Sequence, residues 1–150
     1  MLSFLCDTNL WLRSVDTDSP QHAVAVAAME IIARRAELVI LPQILVEFWA
    51  VATRPTNSNG LGWTTDQAAT RLVLLQERFQ LLAETSELFD QWFELVRSRR
   101  ISGKRVHDAR IAAGIITAKI DFLVAFNVSD FESWPIKALH PGEIEPILCG

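Results

Sequence analysis

Short runs of consecutive apolar residues, each closed by a polar cluster, alternate along the chain with longer stretches in which apolar residues recur every three or four positions. The first pattern suits short buried strands and the second amphipathic helices. Residues 3 to 6 read as a first strand, after which Asp7-Thr8-Asn9 supplies cap and turn chemistry ahead of Leu10-Trp11-Leu12. A helix is predicted from about Ser19 to Ala36, with Pro20 suited to its first turn and Ala23, Val26, Ala27 and Ile31 as its apolar stripe. Leu38 to Leu41 is a second short strand. Pro42 then starts a helix to about Arg54 in which only Gln43, Glu47, Thr53 and Arg54 are polar, so that helix must be largely buried.

Pro55 to Trp63, with two asparagines and two glycines, is a loop, and Thr64 or Thr65 caps the next helix. Ala68, Leu72, Leu75, Phe79 and Leu82 mark that helix as amphipathic, and Leu88, Trp92, Leu95 and Val96 mark another that runs toward Arg100 and breaks at Ser102-Gly103. Asp108 to Lys119 is a helix of small residues able to lie close on a sheet. Phe122 to Phe126 reads as a fully buried strand, Asn127 to Phe131 as a turn, and Ile136 to Leu139 as a last edge strand. Strands alternating with helices predict a three-layer α/β/α sandwich around a mainly parallel sheet. Residues 1 to 150 are expected to form a single domain, with no repeat or low-complexity tract.

The bulk numbers narrow this picture. A chain of 150 residues with 50% hydrophobic content can bury one complete core, and it is not disordered. Its apolar runs fall short of the roughly 18 residues a membrane span requires, so no membrane association is expected. The opening residues carry no basic leader and meet Asp7 early, which makes the cytoplasm the expected location. Cys6 and Cys149 offer neither a metal spacing nor a disulfide framework. The net charge of −4 argues against a generally basic coat, yet Arg97, Arg99, Arg100, Lys104, Arg105 and Arg110 gather within residues 97 to 110. That run can attract phosphate, with Arg100, Lys104 and Arg105 the candidate contacts, or it can be a solvated helix end and turn.

The candidate chemistry lies in four carboxylates from separate apolar or strand-like segments: Asp7, Glu47, Asp108 and Asp130. In an open parallel sheet the ligand crevice lies outside the carboxyl ends of the strands. Asp7 and Asp130 follow strands, Asp108 opens a helix, and Glu47 sits about one turn into the helix after the second strand. Each acid alone has a plain structural reading: Asp7 and Asp108 as helix caps, Asp130 as a turn residue, and Glu47 as a partner of Arg54. Four acids meeting in one cleft would repel by about 3 kcal/mol per pair at about 5 Å and an effective dielectric near 20, so the cleft would need a cation. An all-oxygen set suits Mg²⁺ or Mn²⁺, which keep waters and take further ligands from phosphate oxygens. His107 is an orienting hydrogen bonder rather than an acid or base, and no zinc site is expected.

Leu5-Cys6-Asp7-Thr8-Asn9, Pro42-Gln43-Ile44-Leu45-Val46-Glu47-Phe48, Gly103 to Ala113 around His107-Asp108-Ala109, and Phe126-Asn127-Val128-Ser129-Asp130-Phe131 occur in this order and spacing. With these four elements the whole chain resembles the PIN-domain nucleases, and within them the VapC-type toxins of bacterial toxin–antitoxin pairs. The resemblance implies hydrolysis of RNA with a divalent metal. It casts Asp7 and Asp108 as the principal metal ligands and Glu47 and Asp130 as completing the acidic quartet. Thr8, Asn9 and Asn127 orient the acids and bound waters. It further implies structured RNA such as tRNA as substrate, a homodimer, and an antitoxin that occludes the cleft, for which Trp11, Trp49 and Trp63 are candidate apolar contacts. Similar sequences commonly place Thr or Ser two residues before the position of Asn127, where this chain has Ala125. The competing expectation is a catalytically weak or inactive PIN-like module that binds RNA or a protein.

Overall fold

The structure is a computed structural model that describes residues 1 to 150. Five parallel strands, β1 (Ser3–Cys6), β2 (Glu37–Ile40), β3 (Gln80–Leu81), β4 (Phe122–Val124) and β5 (Ala138–Leu139), form one sheet in the order β3-β2-β1-β4-β5. The sheet therefore grows from β1 first to one side and then to the other. Phe4 of β1 pairs with Leu38 and Phe122, and the Phe4 and Phe122 rings stack with centroids 5.2 Å apart.

Seven helices connect and cover these strands: α1 (Thr8–Val15), α2 (His22–Arg35), α3 (Pro42–Ala52), α4 (Thr65–Arg78), α5 (Glu87–Ser98), α6 (Arg105–Ala118) and α7 (Ile144–Cys149). Helix α1 packs on α2 and α3, α2 on α7, and α5 along α6, giving the three-layer arrangement that alternation of strands and helices predicts. The core is one cluster of 33 buried residues, with Phe4, Leu5, Ile40, Phe48 and Leu123 fully enclosed. Strands β1, β2 and β4 read as continuous hydrophobic runs because helices cover both faces of a parallel sheet.

Small residues let α6 come close. Ala109, Ala112 and Ala113 are completely buried, and a Cβ added at Gly114 would stand 2.7 Å from Leu41 Cδ1. Upstream, Arg100 and Gly103 both adopt positive φ, at 55° and 67°, and this double reversal turns the chain from α5 into α6. Thr64 caps α4 through a reciprocal box with Gln67, one of the two residues expected to do so.

Several boundaries differ from the expectations. Helix α2 begins at His22, because Ser19 and Pro20 lie in a turn in which the Ser19 hydroxyl accepts from the Gln21 amide. The helix predicted through Leu82 ends at Arg78, and Phe79 turns extended so that residues 80 and 81 can pair with β2 as an edge strand. Phe79 and Leu82 still face the core, and for that reason their spacing looked helical. The strands β4 and β5 are shorter than the apolar runs around them. Residues 128–131 form a 3₁₀ turn, and α7 is an element that no pattern signalled. No helix is long and apolar enough to cross a membrane.

Candidate active site

The strand order reverses between β1 and β4, and there the Asp7 amide extends the ladder by donating to the Val124 carbonyl at 2.9 Å. This fixes the Asp7 side chain at the switch point of the sheet, outside its carboxyl edge. Asp7 occupies the N-cap position of α1, but its carboxylate makes no capping hydrogen bond. Burial, with added repulsion from Glu47, Asp108 and Asp130, raises its pKa to about 6, against an opposing pull from the Thr8 amide. Glu47, Asp108 and Asp130 thus all lie near enough to Asp7 to act on its charge.

Asp108 is not the first residue of its helix. Helix α6 begins at Arg105, because the turn at Gly103 releases the chain into helix early, and Asp108 falls one turn inside. The N-cap reading of Asp108 is therefore corrected. Half-buried, it too is held above the ordinary carboxylate range, first by desolvation and then by Asp130 and Glu47, with Arg105 and His107 pulling the other way. Asp130 lies in the 3₁₀ turn after β4 and stands exposed at the rim.

Glu47 does not pair with Arg54. Its two oxygens accept from neutral donors: Oε2 from the Thr8 hydroxyl at 2.7 Å and Oε1 from Gln43 Nε2 at 2.9 Å. Thr8 is the only polar side chain among the 38 buried residues, and this bond accounts for its place there. Gln43 Nε2 also donates to the His107 carbonyl at 3.0 Å, and Gln43 Oε1 accepts from Arg110 Nη1 at 2.9 Å. Arg110 in turn reaches both oxygens of Glu84 at 3.0 Å. Gln43 and Arg110 were not among the expected site residues. The readable signal was Gln43 four residues before Glu47, on the same face of a buried helix.

Asn9 and Asn127 stand exposed beside the acids, and Asn127 occupies the cap of the 3₁₀ turn without a side-chain capping bond. Ala125 is buried, its amide bonded to the Leu139 carbonyl. Trp11 is not an interface residue. It is 2% exposed, donates Nε1–H to the Cys6 carbonyl and meets Phe79 edge-on. Trp49 and Trp63 are half-buried, with Trp63 against Phe48.

The basic run divides. Arg97 pairs with Glu94 and Arg110 with Glu84. Arg100 and Lys104 project into solvent, while Arg105 bonds the Ser133 hydroxyl at 2.8 Å.

None of the four acids forms an ion pair. No three acidic, histidine or cysteine side chains stand close enough to enclose an ion unaided. Carboxylates without a counter-charge suit a hard divalent cation that keeps part of its water shell, because such an ion needs only one or two direct carboxylates. Zinc, which takes four close nitrogen or sulfur-rich ligands, does not match this donor set.

The PIN domain family profile matches residues 4–132, and the chain belongs to that family. Ribonuclease VapC24 of Mycobacterium tuberculosis is 25% identical over 125 residues, 83% of this chain and 86% of the relative. VapBC2 from Rickettsia felis, solved bound to a DNA fragment from their promoter, aligns with a TM-score of 0.69 at 16% identity, covering 93% of this chain and 98% of the matched one. A toxin–antitoxin complex from Klebsiella pneumoniae aligns with a TM-score of 0.61 at 19% identity, covering 91% and 96%. These structural likenesses extend over nearly the whole chain and establish the shared fold.

Proposed function

We propose that the protein is a Mg²⁺-dependent endoribonuclease, with Mn²⁺ an alternative ion, that hydrolyses RNA phosphodiester bonds as the toxin of a toxin–antitoxin pair. The observation that carries this reading is Asp7, a half-buried carboxylate with no cationic partner, acted on by three other acids at the switch point of a parallel sheet. The ribonuclease name of the VapC24 relative supports the choice of RNA, and the Klebsiella complex supports an antitoxin as partner. A homodimer and a structured RNA such as tRNA complete the proposal.

Asp7 and Asp108 would hold the ion, and Glu47 and Asp130 would act on it through waters or a second ion. Bound there, a divalent cation lowers the pKa of water and neutralises charge developing on the phosphodiester. The chain's own part is positional. Thr8 and Gln43 hold Glu47 by both oxygens, so its carboxylate cannot rotate away from the cleft. The bond from its amide to Val124 keeps Asp7 at the sheet edge, and exposed Asp130 is free to reach the incoming strand and its waters. Asn9 and Asn127 supply neutral donors and acceptors beside them. Arg100, Lys104 and Arg105 offset the negative cleft as the RNA backbone approaches.

The test is cleavage of a cellular RNA pool by purified protein with Mg²⁺ or Mn²⁺, beside EDTA and beside Asp7→Asn and Asp108→Asn. Discrete products that vanish in all three controls support the reading. If no products form from protein freed of any co-purified inhibitor and shown to bind metal, the domain is a non-catalytic binding module. Ala125, where a hydroxyl is usual, is the residue that favours that outcome.

A further inference from the structure

Two arginines outside the acidic quartet converge on one residue. Arg99, the C-cap of α5, donates Nε–H to the Ser133 carbonyl at 2.9 Å, and Arg105, which opens α6, donates from Nη2 to the Ser133 hydroxyl at 2.8 Å. Both guanidinium groups also lie over the ring of Trp134, with Cζ 6.0 Å and 5.3 Å from its centroid. Neither is joined to an acid, in contrast to Arg97 and Arg110 in the same stretch.

Like charges are normally spread apart unless something holds them together. Here the holder is Trp134, only 3% exposed, whose Nε1–H is the one buried side-chain polar atom without a partner. The indole thus meets both cations with its π face, the best aromatic surface for a cation, while its donor bonds nothing in the fold. Each arginine engages Ser133 with part of its fork and leaves other N–H groups free, in a geometry fixed before any ligand arrives. A planar fork with free donors matches a phosphate.

The pair also has a definite place. Ser133 and Trp134 follow the 3₁₀ turn that carries Asp130, and Arg105 lies one helical turn before Asp108. The cleft that would cut RNA repels its backbone, and Arg105 stands near enough to that cleft to act on the charge of Asp108, with Arg99 joined to it through Ser133. We infer that Arg99 and Arg105, braced by Ser133 and Trp134, form a clamp for a backbone phosphate of RNA next to the bond presented to the four acids. This inference rests on the ribonuclease reading and adds Arg99, Ser133 and Trp134 to the substrate-binding residues.

The experiment measures binding of a fluorescein-labelled oligouridylate of about 20 nucleotides by anisotropy, in EDTA, across a salt series. Arg99→Ala and Arg105→Ala should each weaken binding about ten-fold, the value of one charge-assisted hydrogen bond, and each should reduce the slope of log affinity against log salt by about 0.7. Arg105→Lys keeps the charge but loses the fork, so affinity falls while the slope holds. Ser133→Ala removes only the hydroxyl that anchors Arg105 and should weaken binding without changing the slope. Trp134→Phe retains a platform and should stay near wild type.

Wild-type affinity and slope in the double alanine variant would overturn the clamp. So would unchanged RNA binding with lost binding to a poly-glutamate peptide, which would assign the pair to a protein partner. Cleavage assays on the same preparations separate the two readings. Clamp-dependent binding without cleavage removes the nuclease and leaves the clamp, and cleavage with binding indifferent to the pair does the reverse.

Discussion

Replacing Asp7 by Asn in the metal-free protein should make it more stable, although the change removes a residue proposed to hold metal. Asp7 is pushed up from the ordinary 3.8 to about 6, which corresponds to about 3 kcal/mol of cost for the ionised form in the fold. Asparagine has the same shape and no charge. Part of that cost returns when the amide, itself polar, is desolvated in the same place, so the expected gain is about 2 kcal/mol, or about 4–8 °C in Tm for a domain of this length. The sign depends on pH. The folded state binds a proton that the unfolded chain releases between pH 3.8 and about 6, so the stability associated with protonated Asp7 is complete below pH 3.8 and lost as pH rises through 6. The advantage of the variant should therefore be full at pH 7.5, much smaller near pH 5 and absent near pH 4. Thermal unfolding followed by circular dichroism in EDTA at these pH values measures it. A variant less stable than wild type at pH 7.5, or an advantage undiminished at pH 4, would refute the argument that burial and like charge dominate at this carboxylate. Adding Mg²⁺ or Mn²⁺ at pH 7.5 should reverse the order, since only the wild type retains the full ligand set.

Asp108→Asn should abolish cleavage while leaving metal-free stability unchanged or slightly raised, because Asp108 is not a helix cap; a loss of several degrees in Tm would return it to that role. Thr8→Val, which preserves shape and removes the donor to Glu47, should cost about 1–3 kcal/mol in urea unfolding; a cost below a few tenths would mean the buried hydroxyl is not needed. Gln43→Ala should lower cleavage about ten-fold and weaken Mn²⁺ binding by calorimetry, with Arg110→Met acting in the same direction more mildly; unchanged metal affinity in both would separate this chain of bonds from the site. Gly114→Ala sets a Cβ against Leu41 and should destabilise by about 1–3 kcal/mol despite the better helix propensity of alanine, so a rise in Tm would mean that the contact relaxes freely.

The acids and the strands that carry them were legible because both depend on local pattern. The apolar run Phe4-Leu5-Cys6 closed by Asp7 reads as a buried strand with its acid at the crevice, and β1 falls at Ser3–Cys6 as expected. The two-residue strand β3 had too few positions to show a period of two, and its neighbours Phe79 and Leu82 extended the helical spacing of α4 past its real end. The start of α6 was misplaced for a related reason: Asp108 is a good cap by type, but Gly103 at positive φ had already turned the chain. The links from Arg110 through Gln43 to Glu47, and from Arg99 to Ser133, rest on pairs 67 and 34 positions apart in the chain. Such pairings arise only when β2 and β4 settle on opposite sides of β1, and no local pattern encodes that.

Gln43 separates a full positive charge from the carboxylate it steadies. Arg110 is already engaged by Glu84, and what reaches Glu47 is an amide dipole rather than a guanidinium. Had the arginine touched Glu47 directly, the cleft would have carried its own counter-ion and competed with any that arrived from solution. The neutral spacer transmits rigidity and withholds charge, so the fold can be strict about where its acids point while leaving their charge unspent.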